Sequence, residues 1–168
     1  MKTIRAILFA AALAILSITA SATTNQFFSA TTPVELIAKA PETGTTTSNQ
    51  KYTSYMYSGT LPNTDEYTVG VGVYPFQVDA TGLKVIADAF VASAPGAKVL
   101  KAGPVTVDGQ PAYIQSVELP DGGRTIRMAW IGTFKGNRLY QFVFATYMDV
   151  QNTDMVAVGT FFTSITLN

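Results

Sequence analysis

The stretch VTVDGQPAYIQSVELPDGGRTIRMAWIGTFKGNRLYQFVFATY, residues 105–147, decides the fold. Short apolar runs alternate in it with the turn signals Asp108-Gly109, Asp121-Gly122 and Lys135-Gly136. An Asp-Gly pair between two such runs is a strong hairpin signal. The pattern therefore predicts a four-stranded antiparallel meander. Its last strand is apolar on both faces, so both faces of the sheet must be covered by other elements.

Two stripes of apolar residues at helical spacing predict the covering helices. We expect the first helix to begin at Asp79 or Thr81 and to end at Pro95-Gly96. We expect the second to be capped by Asn152 or Thr153 and to run to the end of the chain. The first stripe is Leu83, Ile86, Ala87, Phe90 and Ala94, and the second is Met155, Val158, Phe161, Phe162 and Ile165.

The residues before the first helix predict further strands and two irregular segments. Residues 23–26 are expected to be a loose tail and residues 41–50 a polar loop. Residues 66–73 alternate strictly, with Gly70 and Gly72 on one face, where they let an aromatic ring or a helix approach. A ligand slot at this place is the alternative. The fold predicted is α+β, an antiparallel sheet of six to seven strands sandwiched by helices.

The N-terminus has the three parts of a secretory signal peptide. Two positive charges, Lys2 and Arg5, precede an apolar run of 13 residues from Ala6 to Ile18, and small residues follow. A spanning helix needs about 20 apolar residues, so this run predicts a cleaved signal over residues 1–22. Cleavage is expected between Ala22 and Thr23. Residues 23–168 would then form one exported domain, periplasmic or secreted, without a stable membrane anchor.

Composition excludes several kinds of chemistry. The chain has no Cys and no His, which removes thiol chemistry, Ser-His-Asp and Cys-His triads, and the usual ligands of zinc. Removing Lys2 and Arg5 from the 11 basic residues leaves nine against 11 acidic ones. Nucleic acid is therefore not an expected partner, because phosphate binding needs a basic surface. We expect no metal and no cofactor.

A few carboxylates and one Ser/Lys motif are the remaining catalytic candidates. Ser48 and Lys51 match the S-x-x-K motif of penicillin-binding enzymes, but the partner motifs S-D-N and K-T-G are missing. The pair Asp65-Glu66 and the pair Asp149 and Asp154 are explained by turns and helix caps. We therefore predict that the chain is not an enzyme, with a Ser48/Lys51 hydrolase as a remote alternative.

Three segments resemble the exported bacterial relatives of the PsbP-like family. They are Gly109 to Tyr113, Gly136 to Val143, and the closing Phe161 to Leu167, within a resemblance that covers roughly residues 27–168. The resemblance implies a PsbP-like α/β/α sandwich that serves as a non-catalytic scaffold for binding proteins or small apolar molecules. These motifs are turn glycines and core aromatics. None of them carries a functional residue of the family over to this chain.

Two groups of side chains are the candidate contact residues. Tyr and Arg are favoured at interface hot spots, although both are also ordinary strand residues. The first function we expect is an envelope adaptor that binds another protein, and the alternative is a carrier of a small apolar ligand in a cleft between helix and sheet. The oligomeric state stays open. The candidates are Arg124, Arg127, Arg138, Tyr52, Tyr55 and Tyr57.

Overall fold

The computed structural model of the chain describes residues 20–77, 79–149 and 153–168. These residues form mostly β-structure, in two antiparallel sheets. The strands are β1 (Ser21–Thr24), β2 (Phe28–Thr32), β3 (Ile37–Ala38), β4 (Glu42–Thr45), β5 (Lys51–Thr60), β6 (Glu66–Val73), β7 (Lys98–Val107), β8 (Gln110–Asp121), β9 (Arg124–Lys135), β10 (Arg138–Tyr147) and β11 (Thr166–Leu167). The helices are α1 (Leu83–Ser93), which follows a 3-10 turn at Ala80–Gly82, and α2 (Met155–Thr163).

The large sheet has the order β3-β5-β6-β10-β9-β8-β7, and β4 also pairs with β5. The predicted meander is confirmed, since β7, β8, β9 and β10 pair with one another in chain order. Its turns use the left-handed backbone that the Asp-Gly signal favours, with φ of 47° at Asp108 and 73° at Gly109. This meander builds half of the sheet.

The small sheet has the order β1-β2-β11 and starts with a hairpin. The Asn25 side chain closes that hairpin, because its Oδ1 accepts hydrogen bonds from the main-chain N–H groups of Phe27 at 2.8 Å and Phe28 at 3.1 Å. Such a side chain mimics a turn of the backbone. Phe28 then packs edge-on against Tyr57 and Phe142 of the large sheet. The small sheet therefore covers part of one face of the large sheet.

The apolar side chains form two clusters, one on each face of the large sheet. On the first face, Phe161 of α2 contacts Tyr67 and Phe142, next to the phenylalanines of the small sheet. On the second face, Leu83 and Ala87 of α1 pack near Trp130 and Leu139. The even-numbered residues of β9 point to α1 and the odd-numbered ones to α2, as the alternation of a strand requires.

The predicted α/β/α sandwich is wrong. The described residues are mostly strand, the large sheet has eight strands rather than six or seven, and a second sheet of three strands helps to cover it. The reason is that α2 has nine residues and spans only about 14 Å, too little to cover a sheet face alone. Strands β1, β2 and β11 fill the remainder.

Segments predicted to be irregular or helical supply the additional strands. The expected loose tail at residues 23–26 partly belongs to β1, and the expected polar loop contains β4. The last helix ends at Thr163 rather than at the chain end, and Leu167 then pairs with Phe28. Its N-cap is Asp154, whose side chain accepts from the N–H groups of the first turn. Thr153 is therefore not the cap, and Asn152 lies outside the described residues.

Most of the predicted signal segment, residues 1–19, lies outside the described part of the chain. The predicted cleavage residues Ala22 and Thr23 lie within β1, where they pair with Thr31 and Ala30. Cleavage there would leave only Thr23 and Thr24 of the strand. Among the described residues, no helix is long and apolar enough to cross a membrane.

Candidate functional site

Arg124, the first of the three candidate arginines, is held by an aspartate and an aromatic ring. Its Nε and NH2 groups donate to the two Asp149 carboxylate oxygens at 3.0 and 2.7 Å. Its guanidinium carbon lies 3.6 Å from the centre of the Tyr147 ring. The hydrogen bond from Arg124 lowers the pKa of Asp149, because it stabilises the charged carboxylate. The charge of Arg124 is therefore already balanced within the chain.

Arg127 lies nearby and is also paired with a carboxylate. Its NH2 group donates to Glu118 Oε1 at 2.7 Å and lies 3.8 Å from the Met148 sulfur. Lys98 approaches the other Glu118 oxygen at 3.8 Å. The pKa of Glu118 is lowered, first by the hydrogen bond from Arg127. About half of the Arg127 side chain remains exposed.

Arg138 lies at the opposite end of β9 and β10 from these two arginines. Its NH1 group donates to the main-chain oxygen of Asn168 at 2.8 Å, and its guanidinium carbon lies 5.2 Å from the centre of the Phe27 ring. The Tyr140 hydroxyl donates to the same Asn168 oxygen at 3.2 Å. The structure therefore places Arg124 and Arg127 at the same end of β9 but on opposite faces of the sheet, and Arg138 at the other end, where it ties the last strand to the sheet.

The three candidate tyrosines of β5 do not form one surface. Tyr55 packs on Phe27, with ring centres 4.6 Å apart, and Tyr57 meets Phe28 edge-on at 5.2 Å, so both help to join the two sheets. Burial, followed by the charge of Tyr55, raises the pKa of the Tyr57 hydroxyl. Tyr52 points to the other face and stacks on Tyr74 at 5.1 Å.

A groove lies between the large sheet and the first turn of α2, and we call it the α2 groove. It has a volume of about 260 Å³ and a largely apolar lining. Arg127 lines the groove. The two lining methionines are exposed, Met148 to 47% and Met155 to 68%. The groove could not be predicted from the sequence because its walls come from three strands and a helix. The lining residues are Ser116, Arg127, Ala129, Phe144, Thr146, Tyr147, Met148, Thr153, Met155 and Val158.

A smaller cavity lies under α1 on the opposite face, and we call it the α1 cavity. It has a volume of about 160 Å³. It does not lie directly at Gly70 and Gly72, the place of the alternative ligand slot, because the Tyr74 ring fills the space at Gly72. The cavity starts at the neighbouring strand β10, where Gln141 pairs with Gly70 of β6 and lines the cavity. Its lining is Ile86, Ala87, Phe90, Gln115, Met128, Trp130, Gln141 and Val143.

The catalytic candidates are dispersed. Ser48 lies in an exposed turn between β4 and β5, where its hydroxyl is 3.0 Å from that of Thr46. Neither Ser48 nor Lys51 lines the α2 groove or the α1 cavity. Asp65 is buried and accepts hydrogen bonds from Asn63 and Thr153, so it closes a turn. Among the described residues no group of acidic side chains is arranged to hold a metal ion.

Comparison with known proteins finds similarity to solved structures. The fold is similar to the crystal structure of LpqN, a protein involved in cell envelope biogenesis of Mycobacterium tuberculosis, with a TM-score of 0.55 and 14% sequence identity. The similarity covers 81% of this chain and 86% of LpqN. No family model matches the chain, so the resemblance to the PsbP-like family is not confirmed. No curated protein matches it either.

Proposed function

We propose that the chain is an exported, non-catalytic binding protein of the cell envelope that holds another protein in the α2 groove. The observation that carries this proposal is the combination of an apolar groove with exposed methionines on its border. The signal-like N-terminus supports export. The fold shared with LpqN, a protein involved in cell envelope biogenesis, supports the envelope as the place of action.

The lining of the α2 groove is suited to apolar side chains of a protein partner. Ala129, Phe144 and Val158 offer apolar surface at its base, and Met148 and Met155 are long, flexible and polarisable. Methionines of this kind adapt to the shape of a partner, which is why they are frequent on protein-binding surfaces. Exposed apolar area next to a groove is typical of an interaction site.

The charges beside the groove favour a protein segment over an anion. Arg124 and Arg127 are each paired with a carboxylate at 2.7 Å, so neither offers an uncompensated positive charge. A partner would meet the mixed charge pair Arg127–Glu118 at the border and apolar surface inside, which is the usual plan of an interface with a polar rim. We therefore expect an apolar segment of a protein, with polar residues flanking it.

The non-catalytic part of the proposal rests on composition and on the separation of candidates. The chain has no His and no Cys. The remaining nucleophile candidate, Ser48, lies in an exposed turn, where its hydroxyl forms a hydrogen bond with the hydroxyl of Thr46. A general base and an oxyanion site beside a nucleophile are what hydrolysis would require.

Site-specific photocrosslinking in the native host tests the proposal. A photoreactive residue replaces Met155 in one strain and Met56 in another. Met56 is the control because it is also an exposed methionine, at 42%, and it does not line the groove. We expect one defined protein adduct from position 155 that is absent from position 56. Replacing Met148 by Gln should reduce this adduct. The same adducts at both positions, or none, would refute the docking site.

A further inference from the structure

The α1 cavity has the composition of a ligand site rather than of a packing defect. Its walls come from α1 and from three adjacent strands, β8, β9 and β10. Six of its eight lining residues present apolar surface: Ile86, Ala87, Phe90, Met128, Trp130 and Val143. The other two are glutamines. A small number of placed polar groups among apolar walls is the usual plan of a small-molecule site.

Gln115 presents a carboxamide to the α1 cavity. Its residue is only 3% exposed, it lines the cavity, and its carboxamide makes no hydrogen bond with any part of the chain that the structure describes. Its amide atoms are not fully buried, unlike the unpaired hydroxyl of Tyr67, so the carboxamide is accessible from the cavity. A ligand or a water molecule in the cavity would satisfy it.

The second glutamine is oriented by the indole beside it. Trp130 Nε1 donates to Gln141 Oε1 at 3.1 Å, which fixes the Gln141 carbonyl and leaves its NH₂ group to donate elsewhere. The indole itself lies across Gly132, whose missing side chain makes room for the ring. The cavity therefore presents a flat aromatic wall between two carboxamides.

Size and charge define the ligand class. A cavity of about 150 Å³ with apolar walls holds a molecule of the size of benzene, and the α1 cavity measures about 160 Å³. Among the residues that the structure describes, no charged side chain lines it. A charged ligand would lose its hydration without compensation, which favours a neutral one. Phe90, 37% exposed, marks the solvent side.

We propose that the α1 cavity binds a small neutral molecule, a single ring or a short chain, through an amide or hydroxyl group that bonds to Gln115. The apolar part of this molecule would lie against Trp130. This site is on the face of the sheet opposite the α2 groove, so it stands apart from the proposed protein partner. A water molecule that fills the cavity and excludes organic ligands is the competing outcome.

Trp130 provides the readout, since it is the single Trp of the chain and lines the cavity. The purified protein is titrated with benzamide, phenol and hexanamide, and the binding of each is checked by calorimetry. We expect a saturable change of Trp130 emission for at least one, with a dissociation constant of about 1 mM or below. Benzoate should bind at least about tenfold more weakly than benzamide because it is charged.

The variant Gln115→Leu separates the ligand site from a general effect on folding. It should weaken binding of the best probe at least about tenfold, since the hydrogen bond is lost. Binding of toluene, which needs only the apolar walls, should be unchanged or stronger, and this shows that the cavity is intact. The control Gln50→Leu, at an exposed position before β5, should change neither the binding of the best probe nor the binding of toluene. No saturation by any of the three probes up to about 10 mM would overturn the proposal. Equal binding of the probe by wild type and Gln115→Leu would also overturn it.

Discussion

A methyl group added at Gly132 tests how firmly the Trp130 indole is fixed against the sheet. A Cβ atom built on Gly132 would lie well inside van der Waals contact with the far end of the indole, and 3.2 Å from Leu83 Cδ2. Gly70 lies on the same face, on the other side of Gln141, and a Cβ atom there would meet only Gln141 Cβ at 3.9 Å. Gly132→Ala and Gly70→Ala therefore form a matched pair.

The two substitutions should change stability in opposite directions. For Gly132→Ala, overpacking costs about 1–3 kcal/mol. Displacement of the indole also removes its hydrogen bond to Gln141, worth about 1 kcal/mol. The lower backbone entropy of Ala in the unfolded chain returns about 0.5–1 kcal/mol. We expect a net loss of about 1–3 kcal/mol of unfolding free energy. Gly70→Ala has only the favourable contribution and should gain up to about 1 kcal/mol.

Urea unfolding followed by far-UV circular dichroism measures both changes, because this signal does not depend on the tryptophan. The emission of Trp130 is the second readout. The residue is 7% exposed, so its emission should shift to the red in Gly132→Ala and stay unchanged in Gly70→Ala. If Gly132→Ala is as stable as Gly70→Ala and its emission is unshifted, the indole does not lie where the structure places it.

Further predictions concern buried hydroxyls, pH and processing. Tyr67→Phe should keep or raise the unfolding free energy, since the buried hydroxyl has no partner among the described residues. Tyr140→Phe should lower it by about 1 kcal/mol in urea unfolding. Because the folded pKa of Asp149 is lowered, its stabilising contribution is present above the unfolded pKa and is lost as pH falls through the folded value. An NMR titration of the Asp149 carboxyl group should show a lowered pKa, and Arg124→Gln should raise it. The mass of the exported protein should equal that of residues 23–168, with Thr23 as the first residue.

The meander could be predicted because its signal is local. Asp108-Gly109 requires left-handed backbone, and the runs on either side alternate, so the turn and the register of the strands follow from neighbouring residues. The stripes of α1 and α2 are local in the same sense, and both helices form there, although α1 ends before Ala94 and α2 before Ile165. The glycines of the meander turns, such as Gly109 and Gly136, mark the ends of strands, but Gly132 does not. It lies inside β9, because a tryptophan two residues earlier needs its space.

The additional strands β4 and β11 could not be predicted because their signal is distant. Residues 42–45 and 166–167 are short and polar or mixed, and each becomes a strand only by pairing with β5 or β2. Tyr55 and Tyr57 looked like candidates for an interface for the same reason. The phenylalanines that cover them, Phe27 and Phe28, lie in a predicted strand nearly 30 residues earlier in the chain, and nothing in the sequence shows that this strand packs on β5. The sequence identifies the aromatic residues but not their partners.

The two proposed binding sites share the central strand β9, and this determines whether one should affect the other. Arg127 and Ala129 line the α2 groove, whereas Met128 and Trp130 line the α1 cavity. A ligand under α1 would press on side chains whose backbone is paired on both sides, with β8 and with β10. A strand held by two neighbours shifts little, so the two sites should be independent. Adding a bound probe such as benzamide should therefore leave the crosslinking yield at Met155 unchanged. A yield that changes with probe occupancy in wild type but not in Gln115→Leu would instead show that the sheet transmits binding from one face to the other.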